Sequence, residues 1–296
     1  MDDEKTGAGV LVTQLGDKLG EKLVEAEEKA MAEHEVSGKM SGSKLGQPTL
    51  DIILNLLATD RKVPDAYSAA LFQRGRDVEA RITKWFTGKT PDEVKPGEKF
   101  ESSGLLKGTV ALQVEQGYRG GTGFIDLVQY TDEGEFQYEI KSVKNSKYAR
   151  IMGINAVTHK PLKGEPLAKP DYQHCLQHSY YALGARADGR TVLGSFIVYV
   201  AADDYRIATF MLNPEEFQRD IDEQIDGVRF YLEAGKLPEY IPVLAWQRNQ
   251  QYQNYPEWAA RTPEVNLEVL QNDYPEAYNK LISGEAAKHI TDSPYL

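Results

Sequence analysis

The segment GTGFIDLVQY sets Asp126 inside an otherwise apolar run, and shortly after it FQYEIKSVK carries Glu139 and Lys141. Side chains of an extended strand alternate between faces, so Phe136, Tyr138 and Ile140 share one face and Gln137, Glu139 and Lys141 the other. Alone, that second strand is a half-buried strand with a solvated Gln/Glu/Lys face. Asp126 resists so simple a reading. Its neighbours Phe124, Ile125, Leu127 and Val128 imply a strand covered on both faces, where an unpaired carboxylate is costly and normally coordinates a metal or meets a cation. The run Asp132-Glu133-Gly134-Glu135 predicts a turn that returns the chain as a hairpin and brings Asp126 near Glu139. Two carboxylates and a lysine suit metal-assisted phosphodiester hydrolysis. Hard oxygens hold Mg²⁺, the ion activates a bound water and offsets charge growing on the phosphate, and an ammonium orients that water or stabilises the transition state. The same set suits other Mg²⁺ enzymes, including hydrolases of small phosphates.

Other candidates lie on helices. In ALFQRGRDVEARITKWF, helical spacing groups Phe72, Gly75, Val78, Glu79, Ile82 and Phe86 on one stripe, so Glu79 borders an apolar face. It either joins the acidic site or pairs with Arg76 or Arg81. Gly75, one turn earlier, would let another backbone approach closely. In DYQHCLQHSYYALGA, Gln177 and Tyr181 are one turn apart and could contact a phosphate or nucleotide, although such residues also line ordinary helix surfaces. His174 and His178 have the spacing of half a zinc site but lack nearby partners in sequence. Between Ser142 and Pro170, Lys144, Lys147, Arg150, Lys160, Lys163 and Lys169 face a single acid, Glu165. That basic island is either a mobile lid along a nucleic-acid backbone or a solvated loop.

The elements that must position these groups follow from periodicity. Residues 1–46 mix acids, lysines and glycines; Lys18 to Val36 has helix-forming composition, and the whole is expected as a loosely attached arm. Two helices are expected between Pro48 and Phe86, strands and hairpins between Phe100 and Val143, and a loop to about Lys169. A helix over Asp171–Leu183, strands over Leu193–Ala201 and Tyr205–Leu212, and a helix from Pro214 to about Ala234 complete the core, taken as residues 47–240. Residues 241–296 read as a partly helical extension. At 296 residues and 41% hydrophobic, the chain can bury a sizeable core. No run approaches the roughly 18 apolar residues of a membrane span, and the acidic start is unlike a secretory signal. A cytoplasmic protein without membrane contact is expected, and the single cysteine, Cys175, fits a reducing compartment. The net charge of −11 opposes polyanion binding at long range, so bound cations and the basic island must compensate.

Taken in order, Gly75-Arg76-Asp77-Val78-Glu79, Gly123-Phe124-Ile125-Asp126, Glu139-Ile140-Lys141 and Gln177-His178-Ser179-Tyr180-Tyr181 resemble the motifs of the RecB-like nucleases of the PD-(D/E)xK superfamily. The resemblance spans about residues 48–240 and includes FYLEAGKLP after the core. It implies an α/β fold with a restriction-endonuclease-like PD-(D/E)xK core, a central mixed β-sheet flanked by helices. Asp126, Glu139 and Lys141 would be catalytic; Glu79, Asp126, Glu139 and the Ile140 carbonyl would hold Mg²⁺, with Mn²⁺ as substitute. Gln177, Tyr181, Lys144, Lys147 and Arg150 would bind substrate. Many relatives carry an iron-sulfur cluster on four cysteines; GKLPEYIPVLAW has none, so no cluster is expected. Glutamate at position 79 is similar to lambda-type phage recombination exonucleases. The implied function is exonucleolytic hydrolysis of DNA in repair, recombination or phage DNA metabolism, with a recombination or single-strand-annealing protein as a conceivable partner. A structure-specific or restriction-type endonuclease, a catalytically silent DNA-binding subunit and a small-phosphate hydrolase are the alternatives.

Overall fold

The computed structural model describes residues 18–26, 29, 38–60, 62–163, 168–250 and 253–294. Two helices enter the core, α1 (Thr49–Leu56) and α2 (Ala66–Thr87). Asp65 caps α2 by accepting the Ser68 amide at 2.8 Å, and Gly88 ends it at φ 86°. A polar start and a left-handed glycine stop satisfy end groups that the helix itself leaves orphaned. Six strands follow: β1 (Lys99–Glu101), β2 (Thr109–Glu115), β3 (Phe124–Tyr130), β4 (Glu135–Val143), β5 (Val192–Ala201) and β6 (Ile207–Leu212). They form one sheet in chain order, with β4–β5 parallel and every other pair antiparallel. Parallel neighbours need a long crossover, and here it carries α3 (Asn145–Met152) and α4 (Tyr172–Ala187). After β6 come α5 (Glu215–Glu233), α6 (Pro256–Ala259), α7 (Pro263–Asp273) and α8 (Pro275–Ile282). The architecture is therefore α/β, a mixed six-stranded sheet flanked by helices. Among the described residues no helix is long and apolar enough to cross a membrane.

Helix α2 covers one face of the sheet: Val78 and Ile82 pack on Ile140, Val198 and Val200, and Phe86 packs on Val110, Leu112 and Leu127. On the other face Leu176, Tyr180, Tyr181 and Leu183 of α4 meet Ile125, Val128 and the apolar stripe of α5, Ile221, Ile225, Val228 and Leu232. Met40, Leu45, Trp258, Leu270, Leu281 and Ile290 belong to that same cluster.

Three expectations change here. Within the supposed arm, residues 18–26 are helical, in line with their composition, but Met40 and Leu45 are buried in the core, where the Met40 carbonyl accepts the Thr122 amide at 2.7 Å. The remainder of the arm lies outside the described residues. Residues after 240 contribute a layer of the main core, because their aromatic and aliphatic side chains cover α1 and α5. Finally, the basic segment begins with a helix seated on the sheet instead of a free loop. Tyr148 and Ile151 of α3 are buried against Val143, Cys175, Ile197 and Tyr199; residues 164–167 lie outside the described residues.

Candidate active site

Both ladders that flank β3 open at Asp126. The register Leu112↔Leu127 and Val114↔Ile125 leaves Gln113 facing Asp126 between them, and the β3–β4 ladder ends at Leu127↔Tyr138, one step short of Asp126. Residues two apart on a regular strand share a face. Here Leu112 and Leu127 lie on the α2 side with Phe86, whereas Ile125 and Val114 join the cluster on the α4 side. The two strands therefore change faces together at Gln113 and Asp126. Gln113 makes the switch with a backbone at φ 48°, an uncommon conformation for a non-glycine residue and a strained one inside a strand. Where the ladder is missing, the Asp126 carboxylate takes its place by accepting the Ile140 amide at 2.7 Å.

Next to this opening, Glu139 is almost wholly buried. Its Oε1 accepts from Lys141 Nζ at 2.5 Å and from Gln177 Nε2 at 2.8 Å. Its Oε2 is buried without a hydrogen-bond partner, 4.0 Å from His178 Nδ1. Glu79 arrives from α2, half-buried, with its Oε1 accepting from Gln113 Nε2 at 3.2 Å. Burial pushes the Glu79 carboxyl up to about 8, reinforced by the charge of Asp126. Burial and the neighbouring Glu139 push Asp126 up to about 7, and burial also raises Glu139. For Lys141 burial favours the neutral amine, but the carboxylates of Glu139 and Asp126 outweigh it and the net shift is upward. Lys141 is thus an ammonium at neutral pH. It suits orienting a water or offsetting negative charge, and it does not suit taking a proton.

Three carboxylates around one ammonium leave an excess of negative charge that a proton or a second cation must offset. The donors are hard oxygens, which suit Mg²⁺ or Mn²⁺ better than a soft metal. Among the described residues no three Asp, Glu, His or Cys side chains are gathered into a ready ligand set; Gln113, the Ile140 amide, Lys141 and Gln177 hold the carboxylates instead. The orphaned Glu139 Oε2 is the atom that a cation would satisfy, since a buried acceptor without a partner costs about 1–3 kcal/mol.

The remaining candidates fare differently. Gln177 binds Glu139, but Tyr181 is buried, so its hydroxyl supports the site from within and does not present itself to a substrate. Gly123 makes room for it: a Cβ there would lie 2.6 Å from the Tyr181 hydroxyl. Gly75 serves no such purpose, for nothing lies within 4 Å of where its Cβ would be. Of the arginines weighed for Glu79, Arg76 donates to Gln73 at 2.8 Å and Arg81 lies over the Tyr205 ring. His174 bonds the Tyr199 hydroxyl at 2.9 Å and His178 the Gln137 carbonyl at 3.3 Å, and burial pushes each imidazole down to about 3. Lys144 reaches the Tyr67 hydroxyl at 2.6 Å, while Lys147 and Arg150 turn to Asp171, at 3.2 and 3.9 Å. Of the three basic candidates, Lys147 pairs with the acid that caps α4, and Arg150 lies beside that acid with its side chain largely exposed. Gln113 escaped sequence reasoning, because TVALQVE shows an unbroken strand pattern and nothing in it announces a left-handed residue.

No family model matches the chain, and no curated protein matches it. Among solved structures it is similar to the crystal structure of SSO0001, at 14% identity and a TM-score of 0.40, covering 82% of this chain and 94% of that one.

Proposed function

We propose that this chain is a Mg²⁺-dependent deoxyribonuclease with a PD-(D/E)xK core, acting as an exonuclease in DNA repair, recombination or phage DNA metabolism. One observation carries the reading: residues far apart in the chain, Glu79, Asp126, Glu139 and Gln177, meet around the Lys141 ammonium at a break in the sheet. Asp126 and Glu139, with Glu79 and the Ile140 carbonyl, would hold the metal, which when bound supplies a water of lowered pKa and positive charge for the phosphate. Lys141 keeps its proton and places a positive Nζ beside Glu139, where it orients the attacking water or meets charge developing on phosphate oxygens. Gln177 fixes Glu139 through one amide hydrogen bond, leaving the second carboxylate oxygen available. DNA would enter past Lys144, the basic candidate that does not face Asp171. A recombination or single-strand-annealing protein is the partner class this reading implies.

The test is incubation of the full chain with end-labelled linear DNA and covalently closed circular DNA, with Mg²⁺, with Mn²⁺ and with chelator. Metal-dependent loss of label from linear DNA with the closed circle intact supports the exonuclease. Cutting of the closed circle reassigns the chain to the endonucleases of the same chemistry. Metal-dependent DNA binding without cleavage supports the silent subunit. Release of phosphate from small esters alone refutes DNA as substrate.

A further inference from the structure

The face switch at Gln113 is costly and local, and its effect is specific. With Leu112 on the α2 side, a regular strand would turn Gln113 to the opposite face, away from that helix. The left-handed backbone turns it back, so that its amide donates to Glu79 of α2 at 3.2 Å while the residue sits opposite Asp126 in the ladder, between the pairs Leu112↔Leu127 and Val114↔Ile125. A side-chain amide carries two N–H donors, enough for one carboxylate on each. Among the hydrogen bonds the described residues make, Gln113 is the one side chain that reaches Glu79, and Asp126 is held by the Ile140 backbone amide, whereas Glu139 has both Lys141 and Gln177. Backbone strain kept inside a strand at a cluster of acids is the kind that persists where it orders a functional site.

We propose that Gln113 is a positioning residue that holds Glu79 and Asp126 as a pair so that a divalent cation meets two preset carboxylates. The proposal rests on the metal reading above. The experiment titrates Mn²⁺ into full-length wild type, Gln113→Gly, Gln113→Asn and Glu139→Gln, following free Mn²⁺ by electron paramagnetic resonance, with melting curves of each metal-free protein. Glycine keeps the left-handed backbone and removes the amide, and asparagine also tolerates that backbone but withdraws the amide by one methylene. Loss of an outer hydrogen-bond partner typically weakens a metal site 10- to 100-fold. Expected is about a tenfold or greater loss of Mn²⁺ affinity in Gln113→Gly, a smaller loss in Gln113→Asn, and a melting temperature no lower than that of wild type by more than about 3 °C for the glycine variant. Wild-type affinity in Gln113→Gly, beside lost affinity in Glu139→Gln, would overturn the role of Gln113 and leave the metal reading standing. Absence of Mn²⁺ binding by wild type, with Glu139→Gln indistinguishable from it, would overturn the metal reading and the Gln113 role with it.

Discussion

Replacing Glu79 by glutamine tests the charge balance of the site without DNA. A carboxyl whose folded value is about 8, against an ordinary 4.5, holds its proton when the unfolded chain has already released it. Between those values the folded state binds more protons, so its stability falls as pH rises, and the whole loss is incurred above about pH 8. At about 1.4 kcal/mol per pH unit, the span from pH 5.5 to pH 8 corresponds to about 3.4 kcal/mol, and partial exposure of Glu79 reduces that to about 2–3 kcal/mol. Glutamine keeps the shape and cannot ionise. Urea denaturation of chelated protein should therefore show Glu79→Gln gaining about 2–3 kcal/mol on wild type between pH 5.5 and pH 8.5, and becoming the more stable of the two at the higher pH. The gain should be matched by loss of the stabilisation that Mg²⁺ confers on wild type at pH 8.5, since a ligand stabilises only the state that binds it. Parallel stability profiles for the two proteins from pH 5.5 to 8.5 would show that Glu79 is ionised at ordinary pH and would refute the electrostatic picture of the site.

Asp126→Asn, Glu139→Gln and Lys141→Ala should each lower turnover on linear DNA by about 100-fold or more while far-ultraviolet circular dichroism stays native; full turnover by Glu139→Gln at saturating Mg²⁺ contradicts the assignment. Lys144→Ala alone should flatten the dependence of log affinity on log salt, measured with Ca²⁺ in place of Mg²⁺, by about 0.7–0.9. Lys147→Ala with Arg150→Ala should change the slope little, because both side chains already face Asp171; the reverse pattern would move the DNA track onto α3. Arg119 is buried, its Nη1 lies 3.1 Å from Asp222 Oδ1, its guanidinium also meets Asp226, and its Nε donates to the Thr291 carbonyl at 2.8 Å. Arg119→Met should destabilise the protein by about 3–5 kcal/mol, as breaking a buried pair from one side does, and free residues near 290 to proteolysis; an unchanged denaturation midpoint would show that this contact does not anchor the C-terminal layer.

What the sequence determined by itself is local. Alternation in FQYEIKSVK predicted β4 with Glu139 and Lys141 on one face, and the turn residues before it predicted the return that sets β3 beside it. The polar starts at Asp65 and Asp171 and the stop at Gly88 delimit helices because capping is satisfied within a few residues. An acid between apolar neighbours marked Asp126 because burying a charge is expensive wherever the chain leads. Other features were decided only when distant segments met. Tyr148 and Ile151 in a lysine-rich stretch become a helix face because Val143, Ile197 and Tyr199 offer a surface to cover, and the C-terminal aromatics become core because α1 and α5 expose one. Lys147 and Arg150 looked free to meet DNA until Asp171 was placed beside them. The left-handed backbone at Gln113 has no counterpart in TVALQVE. Its conformation is unfavourable locally, and it is held by the change of faces it shares with Asp126 and by the hydrogen bond its amide makes to Glu79 across the fold. Local propensity is set by neighbours in the chain, whereas strain can be sustained only by contacts that tertiary structure supplies.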